Sequence, residues 1–371
     1  MVLRALFLVL FLAAAVAVHA GSVQLLDGTT LEGELSFDNG LVVRSDKTAR
    51  VPISSILRAT FGEAKAEEFQ PGLVLVNGTR IAGIFSSLAE TTVKFEGTAL
   101  AIPGGEVAWA VYAPFSAASA AQVPAGKLGA LLPGGDFFEG APKGADASTA
   151  KVLNPIFGPR AFDARKKEIQ ALILREPKPQ PAAFEVVTAN GSVFAALDLV
   201  VRDNTGVFLR HPLYDGLRVE LKDLVEIRAG SARVVALDTL KPARVDTPAG
   251  RTPEQSFSAG KGLDGAPLLA AGKAARGLES GAGTVITWDL PANASVFMAR
   301  VAASAATPAA QKLVFAVYAD GKPLGRSNPS GSGDAPAILR CTIPAGAKLL
   351  SIRAEGLAGS GVWAEPLVLR R

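Results

Sequence analysis

The chain has 371 residues, 49% of them hydrophobic, with 38 Lys and Arg, 34 Asp and Glu, two His and one Cys. That length exceeds a single hydrophobic core and predicts two to four domains. A net charge of only +4, with Arg165-Lys166-Lys167 as the one compact basic run, excludes a dedicated polyanion-binding face, and a lone cysteine excludes an internal disulfide.

Residues 1–20 read as a secretory signal. Arg4 gives a positive start, Leu6 to Val18 form an apolar run, and Val18-His19-Ala20 offers small residues for cleavage, so the mature chain is expected to begin near Gly21. Loss of Arg4 lowers the formal charge from +4 to +3. No later segment approaches the roughly 18 apolar residues of a membrane span. The expectation is a secreted, periplasmic or cell-surface protein with no transmembrane segment in its mature chain.

Between residues 22 and 230 one pattern returns four times. It opens on a strand closed by a Gly turn: Val23 to Gly28, Leu73 to Gly78, Leu131 to Gly135 and Phe184 to Gly191. Asp27-Gly28, Asn77-Gly78 and Asn190-Gly191 predict two-residue type I′ hairpins, in which both central residues need positive φ. Turn glycines 28, 78, 135 and 191 lie 50, 57 and 56 residues apart. Five residues on stands Gly33, Gly83 or Gly140, with Ala196 in the fourth copy, and a Gly inside a strand predicts a bulge or bend. Each copy then closes on a β-like stretch with spaced apolar residues, such as Val51, Ile53, Ile56 and Phe61. Asp163 to Leu174 has a helical Lys and Glu content, yet its place in the repeat predicts turn plus strand. Linkers are expected at 116–121, at the Pro-rich 176–181 and at 248–253.

A strand, a Gly turn, a bent second strand and a short closing strand are similar to SH3-like and Sm-like small barrels, with Leu25 to Gly28 and Gly33 to Asp38 as the nearest passage. Sm-type RNA binding uses an Asn a few residues beyond the Asp. Val42 stands there, so no nucleic-acid partner is expected. Likeness of this kind supports a fold and no activity.

Catalytic chemistry finds no home in the sequence. His211 is the only histidine left after cleavage, and in Leu209-Arg210-His211-Pro212 it reads as a solvated loop residue rather than a base. No Gly-x-Ser-x-Gly elbow occurs. One Cys and one His do not make a zinc site. Cys341, in an alternating run from Ile338 to Ile343, reads as a small buried apolar group. No cofactor is expected. A structural calcium stays open at Asp320-Gly321 or Ser332-Gly333-Asp334, although neither has the alternating acidic spacing of a calcium loop and both read as turns. Two carboxylates suffice for glycoside hydrolysis, but beyond Trp109 the repeats carry little on which a sugar ring stacks.

From about residue 237 short strands and turn signals predict a β-sandwich. Leu237-Asp238-Thr239-Leu240-Lys241-Pro242, Ala275-Arg276-Gly277-Leu278, Ile286-Thr287-Trp288-Asp289-Leu290, Phe315 to Leu324 and Gly361-Val362-Trp363-Ala364-Glu365-Pro366-Leu367 resemble, in order and spacing, the NPCBM family of carbohydrate-binding modules, found at the ends of many secreted bacterial proteins. The resemblance implies a galactose-binding-like jelly roll with its ligand held in loops at one end. Sugar recognition combines an aromatic face with forked polar side chains, which makes Arg276, Glu279 and Trp363 the carbohydrate-binding candidates. Each has a plainer reading: Trp363 and Trp288 as core, and Arg276 and Glu279, flanking Gly277-Leu278 in a loop, as a solvated pair. Family members read Gly-Leu-Gly-x-His where this chain has Gly277-Leu278-Glu279-Ser280-Gly281, so that His is missing.

The expected fold class is all-β, with tandem small SH3-like barrel repeats followed by a galactose-binding-like β-sandwich. Its parts are a signal over 1–20, two repeats over 21–115, two diverged repeats over 125–232 and an NPCBM-like sandwich over 236–371. The expected function is non-enzymatic binding of a carbohydrate or cell-surface polysaccharide through that sandwich. The alternatives are an envelope structural or protein-interaction module with a degenerate sandwich and, third, an accessory glycoside hydrolase.

Overall fold

The computed structural model describes residues 19–62, 68–88, 92–95 and 98–370. The expected signal lies outside the described residues except for His19 and Ala20, which belong to the first strand, His19–Leu25. The fold class is the one expected: all-β, with two helices of four residues among the described residues, Ala117–Ala120 and Pro253–Ser256. The first forms in an expected linker, because the Ser116 hydroxyl accepts the Ser119 N–H at its N-terminus. No helix among the described residues is long and apolar enough to cross a membrane.

Each repeat is built around one central strand paired on one side with the strand after the turn and on the other with the closing strand. In repeat 1, His19–Leu25 lies between Thr30–Phe37 and Ile56–Thr60. Repeat 2 places Gly72–Leu75 between Arg80–Ala82 and Val107–Val111. Repeat 3 places Gly129–Leu131 between Phe137–Glu139 and Ala171–Ile173, and repeat 4 places Phe184–Thr188 between Val193–Ala196 and Leu224–Ala229. A one-turn 3-10 helix precedes the closing strand every time: Ile53–Ser55, Gly104–Glu106, Ala164–Lys166 and Leu221–Asp223. The stretch from Asp163 is thus turn plus strand.

The turns differ from the expected type I′ geometry. Gly28 N–H donates to Leu25 O and Gly78 N–H to Leu75 O, and only the glycines have positive φ, 93° and 88°. Asp27 and Asn77 stay on the usual side and accept the N–H groups of Thr29 and Thr79 at 2.8 and 3.0 Å. This is a type I turn followed by a glycine bulge, which a self-capping Asx side chain favours. The second glycine answers to crowding: a Cβ on Gly33 would lie 2.3 Å from Arg44 O.

Closing strands pair antiparallel two by two. Repeat 1 pairs with repeat 4 (Thr60 with Glu226, Ala59 with Ile227, Arg58 with Arg228), and repeat 2 with repeat 3 (Trp109 with Ile173, Ala110 with Leu172, Val111 with Ala171). The single pair Val193 with Arg80 joins the two halves into one 14-stranded sheet. Side chains alternate across a strand, so Ala59, Ile227, Ala110 and Leu172 point inward into one core shared by all four repeats.

The C-terminal sandwich has two antiparallel sheets. One runs Phe257–Ala259, Gly277–Gly281, Ser360–Arg370, Ala294–Ala303, Ala337–Thr342, with Val234–Ala236 also on Ser360–Arg370; the other runs Arg244–Asp246, Val285–Asp289, Leu349–Glu355, Val314–Ala319, Lys322–Arg326. Trp288, Trp363, Phe297 and Phe315 fill the space between them, and Cys341 lies there too, its thiol pushed up in pKa by burial. Chain 230–236 ties this sandwich to the repeats. Gly230 and Ala232 donate to the carbonyls of Ala183 and Ala182, Arg370 N–H donates to Arg233 O, and the Arg233 guanidinium donates to Ser54 O while lying 4.6 Å from the Phe184 ring.

Candidate functional site

The three candidate residues fall in three different settings. Trp363 is fully buried. Its ring meets Phe315 edge-on at 5.1 Å and Phe297 at 6.4 Å, and its Nε1 donates to Ser280 Oγ at 3.1 Å. No ring face is left for a sugar, so the core reading describes it. Trp288 is core as well, at 1% exposure.

Arg276 and Glu279 do not flank a loop. Gly277–Gly281 is a strand in mid-sheet, paired with both Phe257–Ala259 and Ser360–Arg370. Gly277, expected in that loop, serves close approach instead, since a Cβ on it would lie 2.1 Å from Trp363 O. Glu279 is buried. One carboxylate oxygen accepts the Leu263 N–H at 3.0 Å and the other the Ser360 hydroxyl, so it pins the 260–268 loop to the sheet. Arg276 is exposed and lies elsewhere, on the wall of a cleft.

That cleft, of about 500 Å³, opens between the sandwich and the outer face of the repeat 1 and repeat 4 closing strands. Leu57, Val235, Leu240 and Leu367 give it apolar wall, and Gln24 and Thr239 neutral polar groups. An apolar lining with a few convergent polar groups is the usual make-up of a small-molecule site. Its charged residues are linked across domains. Arg58, from repeat 1, makes an ion contact with Glu226 of repeat 4 at 2.7 Å and reaches Glu365 of the sandwich at 3.3 Å. Glu365 also holds Arg300 at 2.8 Å, and Arg228 pairs with Glu185 at 2.6 Å.

Glu365 owes this position to a bulge. The pairing of Ser360–Arg370 with Ala294–Ala303 slips between Met298 and Arg300, and Glu365 takes φ 50°, rare for a residue with a Cβ. Bulges re-aim side chains. Here the carboxylate turns from the sheet toward the repeats, while its N–H donates to Arg276 O. Sequence reading passed over Glu365, Arg58, Arg228 and Arg370. Alignment of the four closing strands reveals Arg58 and Arg228, since the first and fourth carry charge at registers the second and third fill with apolar residues; no such signal marks Glu365 and Arg370.

His211 is not a solvated loop residue. It is half-buried, stacked at 4.5 Å on Tyr214, with the Leu213 N–H on Nδ1 at 3.2 Å and the Asn77 amide 3.1 Å from Nε2. Burial lowers its pKa below 6.5, against an opposing pull from Glu106. It is a packing residue between repeats 2 and 4.

Among the described residues no three His, Cys, Asp or Glu are grouped to hold a metal. The carboxylates of both calcium candidates serve the backbone: Asp320 accepts the N–H groups of Lys348 and Leu349 at 3.1 and 2.9 Å, and Asp334 that of Gly331 at 2.8 Å.

An all-β chain with a two-sheet C-terminal sandwich beside a cleft is the class the geometry defines. The family model described as the NPCBM/NEW2 domain matches residues 233–366, so the resemblance read from the sequence holds for that segment. Among solved structures, the CBM51 of a Clostridium perfringens GH95 protein in complex with methyl-galactose is 16% identical, covering 36% of this chain and 99% of that one, TM-score 0.31. The tandem CBM51 modules of the family 98 glycoside hydrolase of Streptococcus pneumoniae are 13% identical, covering 94% and 88%, TM-score 0.33. The CBM51-2 and INT domains of Clostridium perfringens ZmpB are 11% identical, covering 60% of this chain but only 43% of that one, TM-score 0.33. No curated protein matches the chain.

Proposed function

We propose that this protein is exported and binds carbohydrate without acting on it, using the sandwich wall that faces the repeats. The observation that carries this reading is Arg276: it lies within the segment matched by the NPCBM/NEW2 model and on the wall of the 500 Å³ cleft. Arg276 supplies donors for sugar hydroxyls, Thr239, whose own hydroxyl donates to Ala236 O at 2.8 Å, an acceptor, and Leu240 and Leu367 an apolar surface for a ring's carbon face. A binding rather than hydrolytic role is supported by the state of the cleft carboxylates. Of the three that line it, Glu185 and Glu365 are each engaged by a guanidinium, which leaves Asp238 no free carboxylate with which to form an acid and base pair across a scissile bond.

The test is titration of the full mature chain with a panel of neutral and acidic oligosaccharides. Arg276→Ala is expected to weaken binding by about tenfold, the scale of a lost charge-assisted hydrogen bond. A well-folded protein that holds no glycan in the panel sinks the reading.

A protein-interaction role has one observation of its own. At a hairpin tip in repeat 3, Ile156 and Phe157 are 82% and 77% exposed, and Asn154 Oδ1 fixes them there by accepting both their N–H groups at 2.8 and 2.9 Å. Replacing both by Asn tests this reading: it fails if every partner captured from the source envelope is retained.

A further inference from the structure

The two pairs of repeats offer an internal control on what the cleft is for. Four outward positions on the paired closing strands are equivalent by register. In the pair of repeats 2 and 3 they hold Trp109, Val111, Ala171 and Ile173, all buried, beneath Phe69 and Phe115, which stack on the indole. In the pair of repeats 1 and 4 the same positions hold Arg58, Thr60, Glu226 and Arg228, and this face borders the cleft. Covering such a face needs only apolar residues, as the other pair demonstrates. A buried ion pair gains little over well-packed hydrophobic residues of similar volume, so the charges serve something other than adhesion.

What they suit is read from the balance of charge. Arg58, Arg228, Arg276 and Arg370 line the cleft with Glu185, Asp238 and Glu365, and with the ion partners behind that lining, Glu226 on Arg58 and Arg300 on Glu365, guanidiniums still outnumber carboxylates by one. Glu365 is shared between Arg58 and Arg300. Arg370, a residue of the cleft lining, has its Nε buried with no hydrogen-bond partner among the described residues, a donor that a turn of the guanidinium toward the cleft would bring to a ligand. Leaving such a group unmade costs free energy, and an anionic acceptor on a ligand removes that cost. Guanidinium forks are shaped for planar carboxylate and for sulfate oxygens.

We propose that the cleft takes an acidic saccharide, one whose ring carries a carboxylate or a sulfate ester, held by Arg370 and Arg228 from opposite walls while Arg276 meets its hydroxyls. The inference rests on the carbohydrate reading of the sandwich and adds the ligand's class and the contribution of the repeats to the site.

The experiment titrates the full mature chain with an oligogalacturonate, its methyl-esterified form and a sulfated galactan oligosaccharide of similar length. The acid or the sulfate ester is expected to bind at least about tenfold tighter than the ester; whichever of the two does so identifies the source of the charge. Arg370→Gln is expected to remove that preference. Equal binding of the methyl ester overturns the inference and leaves the carbohydrate reading standing. Binding of none of the three by folded protein overturns the inference, while the neutral panel decides the broader reading separately. Retention of the full preference by Arg370→Gln also overturns it. Should that variant not fold, hydrogen exchange on the wild-type chain reads the same placement: protection by the acidic ligand is expected at 224–229, 234–240 and 365–370, and protection confined elsewhere overturns the assignment.

Discussion

The pair formed by repeats 2 and 3 and the pair formed by repeats 1 and 4 share one backbone plan and differ in what they put on its outer face. The first seals itself: Trp109 stacks with Phe69 at 5.6 Å and the linker after Phe115 folds over the strands. The second stays polar, and the sandwich sits across it at a distance that leaves a cleft. Closing-strand pairing fixes only the inward set, Ala110 and Leu172 or Ala59 and Ile227. Outward positions are released to different uses, so one strand plan gives one half that is sealed and one half that borders a cleft.

The largest break in that comparison comes from removing the seal. Trp109→Ala is expected to cost about 3–5 kcal/mol, the range for deleting a buried aromatic, measured by urea unfolding. A cost below 1 kcal/mol would mean the aromatic cluster is not what holds the 2 and 3 pair.

Next in size is the charged face. Arg58→Met strands Glu226, whose side chain is only 9% exposed, and is expected to cost about 1–3 kcal/mol, discounted because Arg58 itself is 37% exposed. Adding Glu226→Met is expected to restore most of that loss, since replacing both members of a buried pair by apolar residues is close to neutral. A double mutant no more stable than the single one would show that the charges are themselves the adhesive.

The smallest effect is a pH dependence at the junction between the two pairs. Burial depresses the pKa of His211 in the fold below its ordinary 6.5, so below that value the unfolded chain binds the proton more readily. Stability from this group is full above pH 6.5 and is lost as pH falls through the folded value. The Tm of wild type relative to His211→Asn is expected to decline on acidification below 6.5; a difference that stays flat would mean the ring is solvated after all.

Much of the fold was legible because it rests on local rules. Turn glycines at 28, 78, 135 and 191 all have φ near 90°, and the alternation of Val285–Asp289 and Leu349–Glu355 places Ile286, Trp288, Leu350 and Ile352 in the core. Less of the site was legible. Arg276 was found through a resemblance, but the loop expected around it is a strand, and Glu279 serves a neighbouring loop rather than the same space. Glu365 stood in a quoted motif, yet its role depends on a bulge at φ 50°, which sequence alternation does not announce.

Residue order settles the set of elements and their inner faces, because turn chemistry and a two-residue period act within a few residues. The tertiary structure settled that repeat 1 passes over its neighbour to pair with repeat 4, while repeats 2 and 3, adjacent in the chain, pair with each other. A strand's period says which face is buried and leaves open which edge it meets; similar edges are told apart only by what must cover them. The same choice brought Arg58, Arg228, Glu365 and Arg370, far apart in sequence, to one cleft.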